Sequence, residues 1–386
     1  MHRHLMLIAL LSLTFLRPSL TAAEFPIITT VDLVDVPGAY STNAYAINDR
    51  GQIVGSFTED SVTQHGFLRS NGQFTTIDVP EGTETTATGI DSAGRIVGHY
   101  KDSVGRLHGF LLAGSQFTTI DPPNSVQTQL WGINDLGQII GVFVDSAGTV
   151  RNFLGTNGQF VALTPTAQFP VLQPHGINGR GQIVGYSTSR FGFRLEPRGD
   201  ITALTIPGSQ LTQPFGINML GEVVGEVVID LGPPGGPPDA KGRGFLLAYG
   251  AYTLIDVPGS GSDGTSAIGI NNRHQIIGWY HDRSTGSVRE RSYLFTPPNE
   301  NADVSGSASA DRSRVPQEPV VFDSDLTPWS LGPGQEILHN GAQAAGGYGS
   351  QILWYQGSIY VLGDDSYWWR WTGSTWTFAG PNDPTL

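Results

Sequence analysis

The chain has 386 residues and no cysteine, so it can hold neither a disulfide framework nor a cysteine-linked lipid anchor. Its 51 glycines and 25 prolines, with only 14% charged residues, are typical of β-structure with many turns. The formal net charge of −13 would repel phosphate backbones and anionic lipid, which argues against nucleic acid and membrane surfaces as partners.

The N-terminal segment, residues 1–23, is predicted to be a signal peptide. Arg3 precedes the apolar run from Leu5 to Leu16, and Thr21-Ala22-Ala23 offers small residues for cleavage. Neither this run nor any later one is long enough to span a bilayer, so we expect no membrane span. The alternative is a buried helix. A signal peptide predicts secretion to the extracellular space, with the periplasm or the cell surface as other destinations.

One signature, Gly-Ile-Asn-x-x-Gly-Gln-Ile-Val-Gly in its commonest form, recurs six times at intervals of 40 to 53 residues. Its copies start at Ala46, Gly89, Gly132, Gly176, Gly216 and Gly269. The longest interval contains a Pro/Gly-rich insertion between Asp230 and Arg243. Repeats of about 40 to 45 residues are typical of β-propeller blades.

Each copy reads as four short strands. In the second copy these are predicted at 86–90, 95–101, 106–112 and 116–121, and each turn between them ends in a glycine or serine. Because every loop is short, we expect a four-stranded antiparallel meander. The small residue that opens each signature would lie on the innermost strand, where blades crowd around the axis.

The ends of the repeat region indicate how it closes. A fourth-strand pattern, Phe-Thr-Thr-Ile-Asp-Val-Pro in its clearest form, follows the first five signatures, at Phe74, Phe117, Phe160, Ile201 and Tyr252. It is missing after the sixth, and a matching segment occurs instead at 29–37. We therefore predict an all-β fold in which residues 24–296 form a six-bladed propeller closed by an N-terminal strand. A solenoid or an open array of sheets is the alternative.

The repeats resemble the HAF-type extracellular repeat proteins of bacteria. The matching elements are the signature itself, His-Gly-Phe-Leu at 65–68 and 108–111, and the fourth-strand pattern, which together cover residues 29–296. The later copies depart from the pattern: the fourth and fifth lack the histidine, and His274 replaces the turn glycine in the sixth. The resemblance implies an exported protein and carries no catalytic or binding residue.

We find no nucleophile elbow, zinc-binding His-Glu-x-x-His, phosphate loop or calcium-binding hand in the sequence, and expect neither a cofactor nor a metal. His65 and His108 share one repeat position, which favours packing or turn geometry over chemistry. His99, Trp279 and Glu226 occupy a different position, one that varies from copy to copy. His99 and Glu226 would form an acid/base pair only if both faced the channel, and they fall in blades two and five.

The C-terminal part is predicted to be a polar linker at 297–320 followed by a small all-β domain at 321–386. That domain contains six of the eight tryptophans, and strand-turn-strand units are readable from Ile352 onward. The segment 359–380 is somewhat similar to a single tectonin-type lectin repeat. It also resembles a short aromatic module found at the C-terminus of exported bacterial proteins.

These aromatic residues have two interpretations. In a small domain without disulfides they can supply the core. Alternatively, because neighbouring strand residues point to opposite faces, some would be exposed and could stack on sugar rings. The candidate glycan contacts are Trp354, Tyr367, Trp368, Trp369, Trp371 and Trp376.

The hypothesis favoured by the sequence is a secreted, non-enzymatic binding or adhesion protein, in which the propeller is a scaffold and the tail binds an extracellular or cell-surface polysaccharide. We expect it to be a monomer. The first alternative is a hydrolase or lyase that acts on an extracellular polysaccharide, for which paired carboxylates would have to converge on one channel mouth. The second is a purely structural surface protein.

Overall fold

The computed structural model describes residues 31–60, 63–187, 190–230, 240–248, 251–257, 260, 264–282, 289–296, 314–315, 321–322, 328–331, 335–339, 342–363 and 365–385. The predicted signal peptide at 1–23 and residues 297–313 of the predicted linker lie outside these ranges. Within them every regular element is a β-strand, and no helix is long and apolar enough to cross a membrane.

Twenty-four strands precede the predicted linker. They are β1 (Asp32–Leu33), β2 (Ser41–Ile47), β3 (Ile53–Thr58), β4 (Gln64–Ser70), β5 (Gln73–Ile77), β6 (Glu84–Ile90), β7 (Ile96–Lys101), β8 (Leu107–Ala113), β9 (Gln116–Ile120), β10 (Ser125–Ile133), β11 (Ile139–Asp145), β12 (Val150–Thr156), β13 (Gln159–Ala162), β14 (Gln173–Ile177), β15 (Ile183–Tyr186), β16 (Gly192–Leu195), β17 (Ile201–Leu204), β18 (Ser209–Ile217), β19 (Val223–Asp230), β20 (Ala240–Ala248), β21 (Ala251–Ile255), β22 (Thr265–Ile270), β23 (Ile276–Asp282) and β24 (Arg289–Phe295).

These strands form six four-stranded antiparallel sheets, one for each copy of the signature, an arrangement consistent with a β-propeller. Sheets 1 to 5 are β2–β5, β6–β9, β10–β13, β14–β17 and β18–β21, and sheet 6 is β22–β24 with β1. In sheet 2 the four strands predicted from the second copy are confirmed to within two residues at each end. The turn glycines Gly94 and Gly105 have φ of 83°, the left-handed conformation that such turns require.

The N-terminal strand completes the last sheet, as the displaced fourth-strand pattern predicts. β1 pairs antiparallel with β24, with Asp32 opposite Leu294 and Leu33 opposite Tyr293. Next along the chain, the N–H of Val34 donates a hydrogen bond to the carbonyl oxygen of Ser292. The side chain of Val34 is fully buried in a cluster that contains Ile277 of sheet 6 and residues of sheet 1. The strand therefore links the two ends of the repeat region.

The asparagine of the signature joins each sheet to the next. In sheet 1, Oδ1 of Asn48 accepts hydrogen bonds from its own turn, while Nδ2 donates to the carbonyl oxygen of residue 91 in sheet 2 at 2.9 Å. Equivalent bonds run from Asn134 to Asn178, Asn178 to Asn218, Asn218 to Asn271 and Asn271 to Asn48. Asp91 has no amide to donate, and Ser92 instead donates to the Asp135 carboxylate of sheet 3. All six neighbouring pairs of sheets are thus connected.

A β-bulge recurs in the innermost strand of every sheet, one residue before the small residue of the signature. A bulge re-aims the extra residue's side chain. Here the bulged residues of all six sheets line one opening of about 90 Å³, called the axial opening below, and they are Tyr45, Thr88, Trp131, His175, Phe215 and Ile268. The signature isoleucines, each 6 to 9% exposed, line this opening and also a second one beside the asparagines. They therefore lie between the two openings.

The core of each sheet depends on a recurring contact between a glycine and an aromatic ring. In sheet 2 the ring of Phe110, fully buried, packs beside Gly98 on the neighbouring strand. A Cβ atom on Gly98 would overlap the carbonyl oxygen of Thr86 and come within 2.8 Å of that ring. This close approach explains why the signature ends in glycine.

The C-terminal part forms a separate antiparallel sheet. Its strands are β25 (Arg314–Val315), β26 (Val321–Phe322), β27 (Pro328–Leu331), β28 (Glu336–His339), β29 (Ala342–Tyr355), β30 (Ser358–Gly363), β31 (Trp368–Trp371) and β32 (Trp376–Gly380). The order runs from β26 to β32, and β25 pairs with β29. Arg314 and Val315, which fall within the predicted linker at 297–320, therefore belong to this sheet, opposite Leu353 and Ile352.

Candidate functional site

Half of the tryptophans in the C-terminal sheet form its core. Trp329 is fully buried, and Trp354 and Trp368 are 6% and 4% exposed. Trp329 packs edge-on against Trp371 and Trp376, with ring centroids 5.3 and 5.8 Å apart. The structural interpretation thus accounts for the three buried tryptophans and for the packing of Trp371 against them.

A groove of about 380 Å³ opens beside this core. Its walls include Tyr348, Trp369 and Trp376, together with the carboxylate of Asp365. Tyr348 is 48% exposed, whereas Trp369 and Trp376 are half-buried. The groove therefore presents aromatic surface and one carboxylate to solvent, the combination expected of a site for a ligand with an apolar face and hydroxyl groups.

Trp369 is held in place by hydrogen bonding and ring packing. Its Nε1–H donates to the Asp365 carboxylate, with both oxygens within 3.3 Å, and its ring lies edge-on to Phe378. Gly363 makes room for this arrangement, because a Cβ there would come within 2.8 Å of Asp365 Oδ1 and 3.3 Å of the Trp369 ring. The indole and the carboxylate are thus pre-positioned at the groove.

The opposite wall of the groove comes from an irregular stretch of β29. Ala345 and Gly346 both have positive φ, 45° and 68°, and the pairing with β28 shifts register here. Trp376 donates from Nε1 to the carbonyl oxygen of Ala344 at 3.0 Å. A Cβ at Gly347 would come within 2.8 Å of that same Nε1. The Gly-Gly pair therefore lets Trp376 approach the strand closely.

The six predicted glycan contacts divide between the groove and the core. Trp369 and Trp376 line the groove, and Tyr367, 43% exposed, lies beside it against Phe378. Trp354 and Trp368 are buried, and Trp371 packs against Trp329, so these three serve the core. Trp369 and Trp371 are two residues apart on β31 and so share one face of the sheet, opposite Phe378 and Trp376 on β32.

Sequence reasoning missed three residues at or beside the groove, Tyr348, Asp365 and Phe378. A signal existed for Phe378, which follows Trp376 at the two-residue spacing of a single strand face. Tyr348 stands in a glycine-rich stretch whose irregular backbone could not be predicted from alternation. Asp365 reads in the sequence only as a turn residue.

On the repeat region, the recurring histidines have a structural role. His65 lies 3.0 Å from the Asp78 carboxylate, and His108 lies 2.7 Å from Asp121 and 3.3 Å from Asp102. The same repeat position carries Arg151, Arg243 and Arg291 in other sheets, each paired with an aspartate. A basic side chain beside an aspartate is thus shared by five of the six sheets, whereas sheet 4 has Phe191 at this position, and the arginines were the signal that could have indicated it.

His99 and Glu226 do not form an acid/base pair, since they lie in sheets 2 and 5 and have different neighbours. Burial lowers the pKa of His99 to about 4, against a smaller opposing effect of a hydrogen bond with the main chain of Leu130. Burial raises the pKa of Glu226, which bonds to the Ser266 hydroxyl. Glu226 lines neither of the two openings nor the cavity beside His99.

No three-residue cluster suited to a metal ion occurs among the described residues.

No protein-family model matches the chain, and no curated protein matches its sequence. The resemblance to HAF-type repeat proteins therefore stays a prediction from the motifs. Among solved structures, the chain is similar to YCF48 bound to D1 peptide (12% identity, 88% of this chain and 96% of that chain, TM-score 0.35).

Two further similar structures are AofleA from Arthrobotrys oligospora and the SapL1 lectin in complex with alpha methyl fucoside. The AofleA match has 11% identity and a TM-score of 0.46, and covers 69% of this chain and 87% of that chain. The SapL1 match has 9% identity and a TM-score of 0.33, and covers 90% and 98%. TM-scores this low carry no information about a ligand.

Proposed function

We propose that this protein is an exported carbohydrate-binding protein whose C-terminal sheet holds the saccharide. The observation that carries the proposal is the groove walled by Tyr348, Trp369 and Trp376, with Asp365 as a fixed hydrogen-bond acceptor. The C–H face of a pyranose packs on aromatic rings, and its hydroxyls bond to a carboxylate. The net charge of −13 favours neutral over acidic polysaccharides.

We further propose that residues 31–296 form a six-bladed propeller that serves as the scaffold. The hydrogen bonds that join each sheet to the next, five from asparagines and one pair from Ser92, return from Asn271 to Asn48 and support a closed ring, as does the N-terminal strand in sheet 6. Export follows from the predicted signal peptide at 1–23. Rows of histidines or arginines paired with aspartates at one repeat position support a scaffold role rather than a catalytic one.

The test is binding of the mature full-length chain to an array of neutral and acidic oligosaccharides, followed by titration of the best neutral hit. Trp369→Ala and Tyr348→Ala should each weaken binding about tenfold or more, because each removes a stacking surface. Tyr348 is 48% exposed, so Tyr348→Ala should change the unfolding temperature little, whereas Trp369→Ala removes a half-buried ring and should lower it modestly.

Tyr40→Ala is the matched control, since Tyr40 is 57% exposed in the repeat region and lies far along the chain from the groove. It should bind like the wild type. Equal affinity of the wild type, Trp369→Ala and Tyr348→Ala would refute the groove as the site. Binding confined to acidic sugars would refute the neutral-ligand assignment.

A further inference from the structure

The repeat region contains a second cavity, of about 290 Å³, where sheets 1, 2 and 3 meet beside the axis. It is separate from the C-terminal groove and is lined entirely by residues of β2, β4, β6, β7, β8 and β10. The residues used in the argument are Gln64, Thr86, His99, Gln129 and Trp131. Its volume is close to the lower limit of small-molecule sites.

Three side chains on this cavity have hydrogen-bonding groups that nothing in the described part of the chain uses. Nδ1 of His99 is buried and without a partner. Neither the amide of Gln129 nor the indole N–H of Trp131 makes a hydrogen bond with another described residue. Buried polar groups are normally paired with protein, water or a ligand, so an unpaired group at a cavity needs an explanation.

The position of Trp131 results from the bulge of β10, which falls between Leu130 and Gly132. The bulge turns the indole toward the axis, where it lines both the axial opening and this cavity. Its ring lies edge-on to His99 at 5.9 Å. The other sheets place different residues at the bulge, so this aromatic wall breaks the sixfold symmetry of the repeat.

The cavity offers no unpaired charge among its described lining residues. Lys101 and Glu84 at its rim form an ion pair at 2.7 Å, and the pKa of His99, lowered to about 4 by burial, keeps the imidazole neutral near pH 7. Gln64 donates from Nε2 to Ser56 and Thr86. The rest of the lining combines amides and hydroxyls with the rings of Tyr45, Tyr100 and Trp131 and the apolar side chain of Leu107. A charged ligand would lose its hydration without gaining a counter-charge.

We propose that this cavity is a second binding site, for a single neutral sugar residue, with Trp131 as the stacking surface and Gln129 as a hydrogen-bond partner. Amides, hydroxyls and aromatic rings together match a ligand that is polyhydroxylated, uncharged and apolar on one face. With the C-terminal groove, the site would make the protein bivalent toward a neutral glycan, which would raise its avidity. The site does not depend on the groove and is testable without it.

The experiment uses the mature full-length chain carrying Trp369→Ala, so that the groove does not contribute. The probes are methyl glycosides of glucose, galactose, mannose, fucose and N-acetylglucosamine, measured one by one by saturation-transfer difference NMR at up to tens of millimolar. At least one should give a saturable signal. Gln129→Ala in this background should raise its Kd about two- to tenfold, the worth of one hydrogen bond.

Gln213→Ala is the matched control, because Gln213 holds the same strand position in sheet 5 and lies outside the cavity. It should leave the Kd unchanged, while Trp131→Ala should raise it, because it removes the stacking surface. The proposal is overturned if none of the five glycosides gives a saturable signal, or if Gln129→Ala and Trp131→Ala both bind as their parent does. Tighter binding of methyl glucuronide than of any neutral probe would overturn the neutral class.

Discussion

Asn271 donates a hydrogen bond from Nδ2 to the main-chain carbonyl oxygen of Asn48, 3.0 Å away and 223 residues earlier in the chain. The same side chain accepts bonds through Oδ1 from the N–H groups of Arg273 and Gln275 in its own turn. One amide thus shapes a turn and joins sheet 6 to sheet 1. Nδ2 also donates to Oε1 of Gln275 within the turn at 2.9 Å, so a substitution that removes the amide hydrogens keeps only the two bonds through Oδ1.

Asn271→Asp should keep the two bonds through Oδ1 and lose the two bonds from Nδ2, to Asn48 and to Gln275. A carboxylate still accepts from the two turn N–H groups, as Asp91 does in sheet 2, but has no hydrogen to donate. The Asn48 carbonyl oxygen keeps its bond from the N–H of Gly51, so the expected cost is that of the two lost bonds, about 1 to 3 kcal/mol of unfolding free energy. Denaturant titration of the wild type and the variant measures this difference in unfolding free energy. Asn157→Asp in an exposed turn is the control and should change stability by less than about 0.5 kcal/mol.

The N-terminal strand gives a second prediction from two adjacent residues. Val34 is fully buried against Ile277, whereas Leu33 is 49% exposed. Val34→Ala should therefore lower the unfolding free energy by about 1.5 to 3 kcal/mol, and Leu33→Ala by less than about 0.5. Thermal unfolding followed by circular dichroism would compare them. Equal effects would mean that the strand does not contribute to the core between sheets 6 and 1.

The strands of each sheet could be predicted because they depend on local alternation and turn chemistry, and both recur in all six copies of the repeat. The position of β1 could be predicted because the fourth-strand pattern, missing after the sixth signature, occurs instead at the N-terminal end of the repeat region. The bond from Asn48 to sheet 2 could not, since the partner carbonyl is supplied by a neighbouring sheet. The bulge at Trp131 could not either, because a two-residue period gives no sign of where the register slips.

The candidate groove was only partly predictable for a related reason. Counting aromatic residues does not say which face of a small sheet is covered. Trp368 and Trp369 are neighbours in sequence, yet the first is buried and the second is held at the groove by Asp365. This difference in burial comes from packing and from the irregular backbone at Ala345. Neither can be predicted from the alternation of apolar and polar residues.

The crowding of innermost strands predicts different costs at two equivalent glycines. A Cβ at Gly176 would come within 2.6 Å of the carbonyl oxygen of Phe215, whereas the nearest atom to one at Gly132 is 3.4 Å away. Gly176→Ala should therefore destabilise the protein by about 1 to 3 kcal/mol through overpacking. Gly132→Ala should be neutral or slightly stabilising, because alanine reduces the freedom of the unfolded chain. Similar unfolding temperatures for the two variants would contradict the predicted difference.

The pairing of His108 with Asp121 and Asp102 predicts a pH-dependent contribution to stability. Burial alone would lower the pKa of His108, but the hydrogen bonds and charges of the two carboxylates outweigh it and raise the pKa above its usual 6.5. The contribution is therefore fully present below pH 6.5 and is lost as the pH rises through the folded-state pKa. The pKa of Asp102 is lowered, chiefly by the N–H of Arg106, so its contribution is lost only in acid.

The difference in unfolding temperature between the wild type and His108→Gln should accordingly be largest near pH 6 and should shrink toward pH 8.5. Arg151→Gln is the matched control, because Arg151 holds the same repeat position in sheet 3 and lies 2.8 Å from Asp145. Guanidinium groups stay protonated over this range, so its effect should not vary with pH. Thermal unfolding of the three proteins at several pH values measures both effects. A His108→Gln effect that is constant from pH 6 to 8.5 would mean that the charge of the histidine contributes nothing to the fold.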